Sequence, residues 1–318
     1  MIRRLTGSLV GALTIFALAA CGATPTVVPP VPEPTQDAAP PAAAGPTCDN
    51  ATQSYAPTGL PGPDDLPSGS TMAAIKQRGR LVVGVSSDSY LLGSRNPQTG
   101  VIEGFDIDMA HAMAKAIFGA DAQAQLRVIS AADRIPLLEA HEVDLVVRNM
   151  TMTCDRWEQI GFSAEYYRSG QKLMVRKGSG ITNLDTLAER RVCAPRGTST
   201  LNQIRELAPG AELVPADTHT GCLVLFQQGR VDAITGDDTV LAGLAAQDPY
   251  GVVLPGDAFT EEPYGIGVPA DQVDMARFAN AVLERMRADG RWQASYDRWL
   301  RPTLGEGQQP NPVYGRDD

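Results

Sequence analysis

The feature that most constrains the fold is an alternation of strand-like and helix-like segments, which begins near residue 72 and continues almost to residue 300. Short apolar runs, such as residues 81–85, are typical of buried strands. Between them lie segments in which apolar residues recur at helical spacing, as at residues 107–117. Strands that alternate with helices predict a largely parallel sheet. In such sheets ligands bind beyond the carboxyl ends of the strands.

The individual elements can be assigned from the same patterns. The predicted strands are residues 81–85, 143–147, 191–194 and 231–235. The predicted helices are residues 107–117, with Asp106 as the cap, and 135–140, 198–207, 222–228, 238–246, 272–288 and 292–300.

Length and charge limit the function classes. A chain of 318 residues is long enough for two domains, taking about 100–200 residues for each domain. The formal net charge of −10 argues against a nucleic-acid partner, because phosphate binding needs concentrated Lys and Arg. If the ligand is an anion, positive charge must instead be concentrated locally.

The first twenty residues have the pattern of a signal peptide. Arg3 and Arg4 precede an uncharged run over residues 5–20, which is too short for a membrane span of about 20 residues. The run ends in small residues before Cys21, as in a lipoprotein signal. We expect cleavage before Cys21, acylation of its thiol and a membrane anchor on the outer face of the cytoplasmic membrane. The alternative is a plain secretory signal.

Residues 21–71 are predicted to be the lipidated cysteine followed by a disordered tether. Half of the 24 prolines lie between residues 22 and 70. Such a composition buries too little apolar surface to become ordered.

The other cysteines are Cys48, Cys154, Cys193 and Cys222. An even number in an exported chain indicates two disulfides, and four cysteines allow three pairings. A zinc site is the alternative, but no C-x-x-C occurs and the three histidines are scattered. We expect no metal and no other cofactor.

Catalytic motifs give little support for an enzyme. Residues 265–270 superficially suggest a dinucleotide motif, but Pro269 would break the helix that such a site requires. The G-x-S-x-G, P-loop and H-E-x-x-H patterns do not occur.

A set of motifs resembles one known family. Residues 103–110, with the sequence EGFDIDMA, are similar to the signature of family 3 bacterial extracellular solute-binding proteins, the polar amino-acid binders of ABC importers. The resemblance continues in order through residues 149–156, 162–167, 197–199, 231–238, 264–267 and 289–299. It covers about residues 72–302.

The resemblance implies an α/β fold of the type II periplasmic-binding-protein class, in which two lobes clamp a ligand. Lobe 1 would comprise residues 72–167 and 267–318, and lobe 2 residues 168–266. The chain would cross between lobes near residues 167–173 and 262–266.

The family's ligand-binding positions can be carried over to this chain. Arg156 would bind the ligand's α-carboxylate with Thr151 and the backbone N–H of Ser199, because a carboxylate favours a bidentate guanidinium and helix-terminal N–H groups. Asp237 would bind the ammonium, with the carbonyl of Asn149. The alternatives are a surface salt bridge for Arg156 and a helix cap for Asp237.

Selection of the ligand's side chain is expected to depend mainly on Arg134, where the resemblance places an arginine in glutamate and aspartate binders. An arginine at this position predicts that acidic ligands bind more tightly than asparagine or glutamine. Alternatively, Arg134 caps the following helix or pairs with Glu139, and Asp88 recognises an amide. The other candidates for the side-chain pocket are Tyr90, Arg95, Arg196 and Thr198. Arg148 has no assigned role.

The lobes also suggest how the cysteines pair. Cys193 ends a strand and Cys222 opens a helix of the same lobe, so we expect these two to be bonded. Cys48 is then left to attach the end of the tether to lobe 1 at Cys154.

The resulting hypothesis is a monomeric lipoprotein that binds glutamate, aspartate, asparagine or glutamine and delivers it to the membrane permease of an ABC importer. An amino-acid sensor that presents its closed state to a membrane signalling partner is the first alternative. A dehydratase-like enzyme on the same fold is the second.

Overall fold

The computed structural model describes residues 48–317. The predicted signal peptide, Cys21 and the tether up to residue 47 lie outside the described residues. Within the described range, no helix is both long enough and apolar enough to span a bilayer.

Short strands and longer helices alternate along the chain. The strands are β1 (Gln53–Ser54), β2 (Val82–Val85), β3 (Asp88–Ser89), β4 (Gly93–Arg95), β5 (Ile102–Glu103), β6 (Gln125–Val128), β7 (Leu145–Val146), β8 (Ile160–Phe162), β9 (Tyr167–Arg176), β10 (Arg191–Pro195), β11 (Glu212–Ala216), β12 (Ala233–Asp237), β13 (Gly251–Val253), β14 (Glu261–Tyr264), β15 (Gly267–Pro269) and β16 (Val313–Tyr314). The helices are α1 (Thr71–Arg78), α2 (Phe105–Phe118), α3 (Arg134–Glu139), α4 (Cys154–Trp157), α5 (Ser199–Leu207), α6 (His219–Gln227), α7 (Asp238–Gln247), α8 (Val273–Ala288), α9 (Arg291–Trp299) and α10 (Arg301–Leu304), and short 3₁₀ turns lie at Pro63–Asp65 and Leu184–Leu187.

Two sheets form the centres of two lobes. The first lobe has the strand order β6-β2-β7-β15-β8, and the second has β11-β10-β12-β9-β13. In the first sheet only β15 runs against its neighbours, and in the second only β9 does. The expectation of largely parallel sheets flanked by helices is therefore confirmed. A small antiparallel sheet, β3-β4-β5, follows β2.

The two connections between the lobes lie side by side. β9 leaves the first lobe and pairs antiparallel with β14, which returns to it, with Tyr167 opposite Tyr264 and Gly170 opposite Glu261. These strands match the predicted crossings. The finer lobe boundaries stay a prediction.

The start of α2 differs from the expected one. The helix begins at Phe105, and Asp106 lies in its first turn rather than at the cap. Gly104 makes this early start possible: its φ is 146°, and a Cβ there would lie 2.3 Å from the carbonyl oxygen of Leu92. The Asp106 carboxylate is therefore available for hydrogen bonds with residues outside the helix.

Both disulfides join the expected partners. Cys193 on β10 is bonded to Cys222 within α6, in the core of the second lobe. Cys48 is bonded to Cys154, the first residue of α4. The predicted pairing is confirmed, although α6 begins at His219, before Cys222.

The prediction of a disordered tether is wrong for residues 48–70. Ser54 is fully buried, and its hydroxyl donates to the carbonyl oxygen of Phe162 at 2.8 Å. Its strand β1 pairs in parallel with β16 near the other end of the chain. Ser70 caps α1 by accepting from the N–H of Ala73. Pairing with distant residues supplies the hydrogen bonds and burial that composition alone did not reveal.

Candidate functional site

Residues from the carboxyl ends of strands in both lobes meet between the two sheets. Asn149 and Thr151 follow β7 of the first lobe, Ser199 follows β10 of the second, and Asp237 ends β12. This is the location that parallel sheets favour for ligands. Each of these side chains, together with Arg156 on α4, takes part in one buried polar network.

Arg156 is buried and keeps part of its hydrogen-bonding capacity. It donates to the carbonyl oxygens of Thr151 at 2.6 Å and Gly197 at 3.3 Å. A guanidinium has five N–H groups, so three remain without a partner among residues 48–317. Burial lowers the pKa of Arg156, and the charges of Asp155, Glu262 and Asp237 oppose this. Within the described part of the chain, Arg156 is buried and does not form the surface salt bridge that was considered for it.

Two hydroxyl groups from opposite lobes converge on Glu262, a residue that sequence reasoning placed at a crossing but not in the site. Thr151 donates to its Oε2 at 2.5 Å and Ser199 at 2.7 Å, and the two hydroxyl oxygens are 3.1 Å apart. Thr260 donates to Oε1 at 2.9 Å. Glu262 is fully buried. The only sign in the sequence that Glu262 belongs to the site was its position: it is an acidic residue directly before Pro263, in a buried strand that crosses between the lobes.

Asp237 is a buried carboxylate beside Glu262. The hydroxyl of Tyr264 donates to it at 2.5 Å, and the side chain of Asn149 also bonds to it. Burial raises its pKa, and the charge of Glu262 raises it further. Asp237 occupies the N-cap position of α7 but makes no side-chain capping bond. The helix-cap alternative therefore does not account for its carboxylate.

The backbone of Asn149 is held in a left-handed conformation, with φ of 35°. Its N–H donates to Asp106 at 2.9 Å, and Tyr166 donates to the same carboxylate at 2.8 Å. Burial raises the pKa of Asp106 to about 6 against the effect of these bonds. The hydrogen bond from the Asn149 N–H to Asp106 directs the Asn149 carbonyl oxygen towards Arg134, which donates to it at 3.3 Å.

Arg134 is buried, but most of its donors are used by the protein itself. Nε donates to Ala131 at 2.9 Å, and Nη1 donates to the carbonyl oxygens of Arg148 and Asn149. Nη2 donates to Gly197 at 2.8 Å. Burial and the charges of Arg156 and Arg148 lower its pKa. Arg134 does not pair with Glu139. It also lacks the two unoccupied Nη groups expected of a residue that selects the ligand's side chain.

Arg148 is the residue that sequence reasoning left unassigned. It is 6% exposed, and its Nε donates to the carbonyl oxygen of Ile129 at 3.0 Å. Its Nη1 and Nη2 groups have no partner among residues 48–317. Burial lowers its pKa, and the charges of Asp88, Asp106 and Asp133 oppose this. The only sign of this role in the sequence was the presence of a large charged residue directly before Asn149.

Arg95 and Arg196, two of the predicted side-chain candidates, are exposed and occupied elsewhere. Arg95 donates to the carbonyl oxygen of Gly100 in the turn between β4 and β5. Arg196 forms an ion pair of 3.3 Å with Asp217. Neither joins the network.

The other three candidates are Thr198 and Asp88, which make structural contacts, and Tyr90, which is exposed. Thr198 caps α5 by accepting from the N–H of Leu201 at 3.2 Å. Tyr90 is 47% exposed. Asp88 accepts from Ser86 at 2.9 Å and lies near enough to Arg148 to influence its pKa. Of these, only Asp88 has a charge that acts on the network.

His219 is a further residue that sequence reasoning missed. Its Nε2 is buried and has no partner among the described residues, and a Cβ on Gly236 would lie 2.5 Å from it. Burial and the charge of Arg148 lower its pKa to about 4, so the ring is neutral at pH 7. Across residues 48–317, no three His, Cys, Asp or Glu side chains are grouped to hold a metal.

Direct hydrogen bonds connect the lobes across this network. Gly197 accepts from Arg134 and Arg156, and the hydroxyl of Thr220 donates to the carbonyl oxygen of Asp88 at 3.0 Å. Gly197 has φ of 73°, and a Cβ there would lie 2.7 Å from Ala132 Cα. A glycine is therefore needed where the lobes approach each other.

Comparison with known proteins identifies a family with this architecture. The sequence model of the family described as bacterial extracellular solute-binding proteins, family 3, matches residues 81–302. The ABC transporter glutamine-binding protein GlnH of Bacillus subtilis is 38% identical over 237 residues, which are 74% of this chain and 86% of the relative.

Two further proteins show the range of similarity. The glutamate-binding protein GluB of Corynebacterium efficiens is 32% identical over 256 residues, covering 77% of this chain and 85% of the relative. A solved structure of an ancestral arginine-binding protein bound to glutamine superposes with a TM-score of 0.66 at 30% identity. It covers 72% of this chain and 99% of the solved chain.

Proposed function

This chain belongs to the bacterial extracellular solute-binding proteins of family 3, and on that premise we propose that it is the receptor of an ABC importer for an acidic amino acid, with the amides as weaker ligands. The observation that carries the proposal is the buried network of Arg156, Asp237 and two hydroxyl groups between the lobes. Two of the relatives named above are an ABC transporter glutamine-binding protein and a glutamate-binding protein.

The α-amino and α-carboxylate groups of the ligand are assigned to opposite ends of the network. Arg156 offers N–H groups that find no acceptor among residues 48–317, in the planar geometry that suits a carboxylate. The backbone N–H of Ser199, at the start of α5, completes that end. The Thr151 hydroxyl, which donates to Glu262 in this structure, would turn its one proton towards the carboxylate. Asp237 and the Asn149 carbonyl oxygen offer acceptors to the ammonium group.

The ligand's side-chain carboxylate is assigned to Arg148. Its guanidinium is buried, and its Nη groups have no acceptor within the described residues, so it gains most from a bidentate, charged partner. Arg134 is not assigned to the side-chain carboxylate, because its hydrogen bonds are made within the protein. An amide oxygen would form a weaker bond to Arg148. We expect acidic ligands to bind roughly 5–30-fold more tightly than their amides.

Calorimetric titration of glutamate, aspartate, glutamine and asparagine tests both parts of the proposal. Wild type should bind glutamate or aspartate most tightly, and Arg148→Met should lose most of the acid-over-amide preference. Arg196→Met, which changes an exposed ion pair, is the matched control and should keep the preference. Tighter binding of glutamine than glutamate by wild type would refute acid selectivity, and binding of none of the four would refute the receptor assignment.

The site of action is proposed to be the outer face of the cytoplasmic membrane, with Cys21 lipidated and the protein monomeric. Two acyl chains anchor a protein firmly where one does not. A Cys21→Ala variant should appear in the soluble fraction; persistent membrane association would place the anchor elsewhere. Uptake of labelled glutamate in cells that lack the protein separates an importer receptor, which predicts reduced uptake, from the sensor alternative.

A further inference from the structure

The two ends of the described chain meet outside the family-matched region. Residues 48–56 and 313–316 both lie beyond residues 81–302. Here β1 and β16 pair in parallel, and the N–H groups of Gly315 and Arg316 approach the Ser54 carbonyl oxygen at 3.1 and 3.2 Å. We name these two segments together the terminal brace.

The terminal brace contacts both ends of α4, the helix that carries Arg156. At its first residue, Cys154 is bonded to Cys48. At its last residue, the indole N–H of Trp157 donates to the carbonyl oxygen of Ala51 at 2.7 Å. The guanidinium of Arg316 lies 3.7 Å from the centre of the Trp157 ring.

Arg316 also connects the two segments of the brace. Its Nη2 donates to the carbonyl oxygen of Asn50 at 3.0 Å, and its Nε donates to that of Gln53 at 2.8 Å. The Tyr55 ring meets the Trp157 ring edge-on, with centroids 6.1 Å apart. One side chain therefore holds the amino-terminal segment and covers the helix at the same time.

The brace is itself attached firmly to the first lobe. Asn280 on α8 donates to the hydroxyl of Ser54 at 2.9 Å and to the carbonyl oxygen of Tyr55 at 2.7 Å. The same side chain accepts from the N–H of Ala164 at 2.6 Å. Contacts made by the brace thus tie α4 to the body of the lobe.

We propose that the terminal brace positions Arg156 for binding the α-carboxylate, by fixing the two ends of α4. The helix has four residues, far fewer than the about 12–15 that an isolated helix needs to be even marginally stable. Its orientation must therefore come from tertiary contacts. The disulfide, the indole hydrogen bond and the cation–π contact are three of them, beside the packing of the Trp157 ring against Phe162 of the lobe core. Arg316, Trp157 and Cys48 act as positioning residues, and this role rests on the proposed function of Arg156.

The test combines hydrogen exchange with ligand affinity. In Arg316→Ala, the backbone amides of residues 153–159 should exchange faster in the ligand-free protein, and glutamate binding should weaken about tenfold. Arg316→Lys, which keeps a cation over the indole, should restore part of the affinity. Arg291→Ala breaks an exposed ion pair with Asp289 and should change neither measurement.

The two measurements separate this inference from the proposed function. Unchanged exchange in residues 153–159 overturns the positioning role, as does unchanged affinity accompanied only by a lower unfolding temperature. Failure of wild type to bind any of the four amino acids refutes the proposed function, while the exchange data still decide whether the brace holds α4. A double variant, Cys48→Ser with Cys154→Ser, should increase the same exchange rates if the disulfide contributes.

Discussion

The guanidinium of Arg134 in the first lobe donates a hydrogen bond of 2.8 Å to the carbonyl oxygen of Gly197 in the second. The bond joins a buried charge to the turn before α5, whose first residue, Ser199, belongs to the binding network. One turn therefore takes part both in the contact between the lobes and in the network.

Replacing Arg134 by Met should weaken the binding of glutamate and glutamine by similar factors. The variant loses a charged hydrogen bond between the lobes, which contributes about 1.5–3 kcal/mol, or about tenfold to a hundredfold in affinity. Calorimetry with both ligands measures the two factors. A loss confined to glutamate would instead make Arg134 the selector that sequence reasoning proposed.

Arg156→Met and Asp237→Asn should each nearly abolish amino-acid binding. Removing one partner of a buried charge pair leaves the other uncompensated and costs about 2–5 kcal/mol, which is about 30-fold to 4,000-fold in affinity. Calorimetry at a ligand concentration in the millimolar range detects the remaining binding. Less than about a fivefold loss in either variant would place that residue outside the site.

The disulfide between Cys193 and Cys222 should stabilise the second lobe. It closes a loop with a sequence separation of 29 residues, and both cysteines are fully buried. A Cys193→Ala, Cys222→Ala double variant should lose about 2–4 kcal/mol of unfolding free energy, measured by urea denaturation. An unchanged denaturation midpoint would show that core packing alone accounts for the stability of this region.

Much of this architecture follows from sequence pattern. The strand at residues 81–85 and the helix at residues 238–246 are visible because local apolar periodicity and burial coincide there. The pairing of Cys193 with Cys222 could be predicted because strand and helix alternate in order along one lobe. Arg156 and Asp237 were found through their resemblance to family positions, and the structure places both in the buried network.

What the sequence did not reveal depends on contacts between distant residues. Ser54 is ordered because Phe162 and Asn280 bond to it, and no local pattern marks such partners. Glu262 belongs to the network because two lobes bring Thr151 and Ser199 to it. In both cases the deciding partners lie more than fifty residues away, beyond the reach of periodicity.

Binding of the amino acid should release a proton from Asp237 in weakly acidic solution. Burial, together with the nearby charge of Glu262, raises the pKa of Asp237 in the free protein, so the carboxyl group holds a proton above its ordinary pKa of about 3.9. The ligand's ammonium group pairs with the ionised form only. Affinity should therefore rise with pH until the raised pKa is passed and then become constant.

Calorimetry at about pH 6, in buffers that differ in ionisation enthalpy, measures the number of protons released. Wild type should release up to one proton, and Glu262→Gln should release fewer, because the loss of the neighbouring charge lowers the pKa of Asp237. Asp271→Asn, which changes an exposed carboxylate near His141, is the control and should behave as wild type. Binding enthalpies that are independent of the buffer in wild type would show that Asp237 is already ionised before the ligand arrives, and the ammonium group would then meet a preformed charge.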